Sequence, residues 1–328
     1  MLFTAVYNLS MKKLLLFTFA IIILQSCNSS NIIENTKVDA KLRKTINDKN
    51  DSLITAMVTT NLQIYYALES PEYKKNRQTT NIRPSTLFKN GVLKPKFVVY
   101  DEFYIDNSDR YAVTDVMSKK HGYTFTFRND RPESYVSILK VSGHQYDSLL
   151  AITYGLTDDG WKIYAVDMFG LGNWGIDVNG YYQRAKQNEE KGYLINAYVN
   201  ARNASELINR GDDVKLHWNN EEDIIDYAKQ LEGDIDSEYS FPMVLNKIST
   251  KPAVLGLQPR AIVNHILPCI DYYSVIPLND TAQLREEKDA IKRELRSSLK
   301  GINFNAPVMF RAYDNENGTG DNHHFIDK

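Results

Sequence analysis

The chain is poor in the features that usually announce a chemistry. It holds two cysteines in 328 residues, Cys27 and Cys269, so a disulfide-built scaffold is excluded. The apolar run Leu14–Leu24 is 11 residues long, and a helix needs roughly 20 to cross a bilayer, so the run is too short for a comfortable span. Charge of one sign is missing as well. Lysine and arginine number 39 against 41 acids, for a formal charge of −2. That balance offers no basic face, which argues against nucleic acid as a partner. There is no HExxH, no paired CxxC, no GxSxG and no phosphate loop of the Walker type. No cofactor is therefore expected.

The six histidines do not gather into a metal set. His121 and His144 lie near predicted turns, His217 precedes a helix, and His265 sits in an apolar strand. His323 and His324 are adjacent in the tail, and neighbours on a strand point apart. The stretch "DNENGTGD" at 314–321 looks suited to calcium, but its glycine and the terminal glutamate are misplaced for an EF-hand loop. It reads as a mobile tail, and no metal site is expected.

What is present is aromatic. Twenty-one tyrosines and 13 phenylalanines favour β structure with aromatic cores. Charged residues make up 24% and hydrophobic ones 43%, which is ordinary globular composition. The length suggests two domains or one large one.

The N-terminus is the most specific part. Lys12 and Lys13 precede the apolar run, and small or polar residues follow it. That is the order of a secretory signal. The ten residues before Met11 carry no charge, so either Met1 or Met11 can serve as the start. The run closes on Leu24-Gln25-Ser26-Cys27, which resembles the lipobox of bacterial lipoproteins. The resemblance implies a signal peptide over 1–26, cleavage before Cys27, and a diacylglyceryl group on its thiol. Several acyl chains, at about 0.8 kcal/mol per buried CH₂, make such attachment effectively permanent. The mature charge becomes −4, because two lysines and no acids are removed. Cys269 would then have no intrachain partner. Its setting, "AIVNHILPCIDYYSVI", is that of a buried, inert thiol. No acid follows Cys27 directly. The resemblance therefore implies that the inner-membrane retention signal of some Gram-negative lipoproteins is absent, which leans towards the outer membrane, facing the periplasm or the surface, within a bacterial cell envelope.

Residues 27–44 read as the attachment point and a flexible tether. In 45–175 a helix is predicted over 50–70, with Asn50 or Asp51 as cap and Pro71 as its end. Strands are predicted at 96–105, 122–127, 134–141, 146–155 and 161–169. This helix-then-meander order closes on "DGWKI" and resembles the cone-shaped α+β domains of the nuclear-transport-factor-2-like and cystatin-like group. Residues 176–213 read as a helical hairpin. Tyr181, Ala185, Gly192, Ala197 and Ala204 resemble one tetratricopeptide-type unit, though Asn188 departs from its usual aromatic. One unit cannot make a solenoid. Residues 214–328 carry a second α+β domain in αβββαβ order with a mobile C-terminal tail. Its helix over 280–301 is the clearest in the chain, with Asp280 as cap and Gly301 as stop. The fold class is α+β.

Two acids break apolar rows. Strand periodicity sets Asp101 with Phe97, Val99, Phe103 and Ile105, and Asp167 with Trp161, Ile163, Ala165 and Phe169. A carboxyl in such a row is costly to ionise, and enzymes use that to hold an acid or base near neutral pH. In a cone, both acids could face a cavity shared with Tyr65, Tyr66 and Trp161. Asp101 and Asp167 are thus the catalytic candidates, and the three aromatics the binding candidates. The expected function is a membrane-anchored, non-enzymatic module that binds a small ligand or an envelope protein. A hydrolase or isomerase using the acids, and a structural envelope component, are the alternatives.

Overall fold

The computed structural model describes residues 31–76, 95–106, 112–129, 131–142, 146–208, 215–262 and 265–327. Cys27 and the whole signal segment lie outside the described residues, as does His144. The architecture is α+β, with an antiparallel six-stranded sheet, a helical hairpin and a second, mixed sheet.

The first strand, β1 (Asn31–Glu34), falls where a tether was expected. It pairs antiparallel with Phe103–Asp106 of β2 (Lys96–Asp106). Its short sequence, "NIIE", forms an edge strand paired with one neighbour. Helix α1 (Ala40–Val58) follows and starts ten residues earlier than expected. Asp39 caps it, accepting from the Leu42 amide at 2.9 Å. Asn50, expected as the cap, is instead buried in mid-helix. The helix stops at Thr59 and at Thr60, whose φ is 54°. Asn61 then caps α2 (Leu62–Leu68). Pro71 does not end a helix but opens one, α3 (Pro71–Asn76), with the Ser70 hydroxyl accepting from the Tyr73 amide. Proline suits a first helical position because the amide there has no helical partner.

The large sheet runs β1-β2-β5-β6-β7-β8, where β5 is Glu133–Ser142, β6 Tyr146–Thr157, β7 Gly160–Asn173 and β8 Ile176–Asp177. Helix α1 covers one face, packing Ile46, Leu53 and Met57 on Leu139, Leu150 and Ile152. Each such side chain stabilises the fold by about 1.5–3 kcal/mol. The other face is covered by a three-stranded sheet, β3-β4-β9, made of Ala112–Ser118, Tyr123–Asn129 and Lys215–Trp218. Phe125 and Phe127 pack there on Phe103, Ile138 and Phe169. Burial on both faces explains why β5 shows no polar alternation. Residues 215–218 thus complete the first body from beyond the expected boundary at 214.

The hairpin consists of α4 (Val178–Glu190) and α5 (Leu194–Leu207), turning at Gly192, whose φ is +75°. Ala185, Ala197, Ala201 and Ala204 are fully buried, which lets backbones approach closely. Ala204 belongs to the first core, while Ala197 and Ala201 belong to the second. In the second body α6 (Glu221–Glu238) and α7 (Thr281–Ser298) share that core with a sheet ordered β10-β11-β12-β13-β14. These strands are Met243–Val244, Ala253–Ile262, His265–Tyr273, Val308–Tyr313 and Asn322–Asp327. Pro259 lies within β11 opposite Pro268 of β12. Over that stretch β11 is an edge, where proline is tolerated. The tail expected to be mobile ends in β14, which pairs with β13 and covers its edge.

Asn50 ties α1 to the sheet. Its amide donates to Ser137 Oγ and accepts from the Tyr154 hydroxyl, both at 2.8 Å. An Asn50→Ala change strands two buried hydroxyls and is expected to cost about 1–3 kcal/mol. Urea unfolding checks this through a lower midpoint at constant slope.

Candidate functional site

The structure divides the sequence candidates between the two faces of the large sheet. Tyr65 is buried on the helix side, its hydroxyl 3.4 Å from that of Tyr73. Trp161 is buried on the same side, edge-on to Tyr104 and Tyr135. Tyr66 is 38% exposed and meets Tyr65 edge-on. The acids lie on the opposite side. In β2 the register slips at Tyr100, which turns Asp101 away from the face of Phe97 and Val99. In β7 a slip between Ala165 and Ile163 does the same for half-buried Asp167 relative to Trp161. Bulges of this kind switch the face that follows, and periodicity alone does not reveal them.

Asp101 and Asp167 share one cross-strand row, with Ile138 and Ala151 between them. Three strand spacings separate them by about 14 Å, too far for a shared proton transfer. Asp101 is 0% exposed and accepts from Ser118 Oγ at 2.7 Å, the Tyr123 hydroxyl at 2.6 Å and Asn35 Nδ2 at 3.2 Å. Burial and the adjacent carboxylate push the Tyr123 phenol well above its usual range, so it stays a donor. Asp101 is a structural anchor closed off by its donors. Among the described residues no group of three or more His, Cys, Asp or Glu could hold a metal ion. Cys269 is buried beside Asp271, and burial pushes its thiol up.

A cleft of about 390 Å³ opens elsewhere, where β7, α5 and the β11–β12 hairpin meet. Its walls carry Asn173, Arg202, Asn203, Arg260 and Ile266, with Ala261 at the rim. Local sequence builds each wall. Asn173 begins the turn Asn173-Trp174-Gly175-Ile176, whose two central residues have φ of 50° and 80°. That is the geometry of a two-residue hairpin turn. Gly172 is required beneath it, because a Cβ there would lie 2.1 Å from the Ile176 carbonyl oxygen. Asp177 then caps α4 by accepting from the Gly180 amide at 2.7 Å.

The polar groups of the cleft are held firmly. Asn173 is 3% exposed, and its Nδ2 donates to Asn203 Oδ1 at 3.0 Å. The Tyr181 hydroxyl donates to the Asn173 carbonyl at 3.3 Å. Burial raises that phenol to about 12, with Arg184 and Asn203 opposing the rise. Asn203 is 5% exposed. One buried atom of the pair has no hydrogen-bond partner in the protein, Asn173 Oδ1. The Asn203 amide hydrogen-bonds the Tyr181 hydroxyl. Arg202 donates to Glu206 Oε1 at 2.9 Å and to the Tyr198 hydroxyl at 2.8 Å. Arg260 donates to Gln258 Oε1 at 3.1 Å, and its buried Nε has no partner in the protein. The cleft can therefore offer an acceptor, donors and a positive charge to a bound molecule. A smaller recess of about 270 Å³ at the start of α6 is lined by Glu221, Glu222 and Asp223, acids that already complement the helix N-terminus.

Sequence reasoning missed this cleft, because its residues come from three distant segments. One signal was available. Asn196 and Asn203 are seven apart on the alanine-bearing face of α5, and both are buried. Asn196 is used in packing, accepting from the Asn303 amide at 2.8 Å. Asn203 is held instead by Asn173 and Tyr181 at the cleft wall.

Comparison with family models, curated proteins and solved structures finds no match. What the cleft takes must therefore be decided from the chemistry of its walls.

Two expectations test the anchor around Asp101. An Asp101→Asn change sets an amide donor among three donors and should cost about 1–3 kcal/mol, read as a lower denaturation midpoint. His121 stacks on Tyr100 at 3.7 Å. Burial, joined by Lys120, lowers its pKa against the opposing pull of Asp101 and Asp177. A histidine harder to protonate when folded gives full stability above its unfolded pKa, about 6.5. That stability is lost as pH falls below it. Between pH 7.5 and 5.5 the melting temperature of His121→Gln should thus fall less than that of the wild type. Equal falls would show that His121 is not depressed.

Proposed function

We propose that the chain is a bacterial envelope lipoprotein, held to the membrane through Cys27, whose folded body is a non-enzymatic binding module. The cleft between β7, α5 and the β11–β12 hairpin is its ligand site. One observation carries this reading: Asn173 Oδ1 is buried at the cleft wall and unpaired within the protein. Leaving such a group unsatisfied costs about 1–3 kcal/mol, and a ligand that pairs with it recovers that cost. The cleft volume falls in the range of small-molecule sites. Asp101, saturated and remote from the cleft, takes no part. The lipobox-like residues 24–27 support the address.

A thermal-shift screen of small neutral, cationic and anionic polar compounds tests the site. At least one class is expected to stabilise the wild type and to leave Ala261→Trp, whose indole fills the cleft, unchanged. A screen without such a compound in any class would defeat the reading. Fractionation tests the address: the wild type should sediment with membranes, and Cys27→Ala should be released.

A further inference from the structure

We infer that the cleft takes a compact monoanionic carboxylate bearing hydroxyl groups, with a sugar acid as the fitting class. The inference rests on the cleft being the binding site.

Charge sets the first constraint. Arg202 is already matched by Glu206 at 2.9 Å and held by the Tyr198 hydroxyl. Arg260 has no carboxylate partner among the described residues, and a neutral amide, Gln258, accepts from its Nη2. The cleft therefore holds one uncompensated positive charge, which suits one negative charge rather than two. A planar guanidinium also matches a carboxylate edge-on through two donors. Arg260 Nε, buried and unpaired, is one such donor.

The asparagine wall sets the second constraint. Asn173 Oδ1 needs a donor. A ligand hydroxyl supplies it. The amides are fixed by their mutual hydrogen bond, so little ordering is left for binding to accomplish. The third constraint is apolar. Leu207 and Ile266 line the same cleft and suit the C–H face of a sugar ring. Carboxylate, hydroxyls and a C–H face in a space of about 390 Å³ describe a monosaccharide acid.

Titration calorimetry with D-glucuronate, D-glucose and inorganic phosphate tests this on the full folded chain. D-Glucuronate should bind the wild type at least tenfold more tightly than D-glucose or phosphate. Arg260→Gln should reduce D-glucuronate affinity at least tenfold and reduce glucose affinity by a much smaller factor. Arg260→Lys, which keeps the charge but loses the fork, should fall between. Asn173→Ala should weaken both sugars by the same factor, and a melting curve shows whether that variant folds. Glucuronate binding that ignores Arg260→Gln, glucose binding as tightly, or phosphate binding more tightly would each overturn the inference. If neutral compounds bind in a manner blocked by Ala261→Trp while D-glucuronate is inert, the inference falls and the cleft remains a binding site. If no compound of any class binds, both fall.

Discussion

Two adjacent buried carboxylates on β2 hold the first body together. Asp101 and Glu102 point to opposite faces of the large sheet, and neither can be buried without donors. Asp101 takes its donors from the three-stranded layer, through Ser118 and Tyr123. Glu102 takes its donors from the helix layer and its own sheet, through Arg43 at 2.9 Å and Tyr135 at 2.8 Å. Asn35 closes the arrangement. Its Nδ2 donates to Asp101, and its Oδ1 accepts from the Glu102 amide at 3.0 Å. Its φ of 53° lies in the left-handed region that asparagine tolerates better than most residues. Three layers are thereby fixed in one register by two charges. Sliding any layer would strand a buried carboxylate, at about 3–5 kcal/mol for a broken buried pair.

The hairpin α4–α5 carries that order into the second body. Its alanines let α5 approach two cores at once, and the cleft forms where α5 leaves one core for the other. Leu207, near the end of α5, sits so close to β7 that a Cβ on Gly170 would lie 3.0 Å from its carbonyl oxygen. The edge of β11 supplies the remaining wall. Pro259 there removes a donor from the strand edge, which disfavours addition of another strand.

Much of this architecture was legible because it is written in local patterns. The α+β class followed from helical and alternating runs. The turn at Asp158-Asp159 lies as expected between β6 and β7, with Gly160 at φ of 85°. Helix α7 begins after Asp280, whose side chain accepts from the Gln283 amide at 3.1 Å. What was not legible depends on partners distant in sequence. Strands β1 and β14 are short segments made into strands by the edges they cover. The bulges at Tyr100 and Tyr164 changed which faces Asp101 and Asp167 share with their neighbours, although each strand was placed correctly. The cleft was hidden for the same reason. Asn173, Asn203 and Arg260 are unremarkable where they stand in sequence, and they meet only after folding.

Sheet order also relates the proposed anchor to the proposed site. Strand β1 forms one edge of the six-stranded sheet, and the β7–β8 turn carrying Asn173 forms the opposite edge. Four strand spacings, about 19 Å, separate β1 from β7. Three residues lie between Cys27 and Asn31, a reach of about 14 Å at full extension. An acylated Cys27 would therefore hold the β1 edge close to the bilayer. The same order of strands would carry the cleft to the edge away from the lipid. The proposed attachment and the proposed site would be compatible in this fold, because β1 and the β7–β8 turn lie at opposite edges of one sheet. The Asn35 contacts with Asp101 and Glu102, just beyond β1, are where load from the anchor would pass into that sheet.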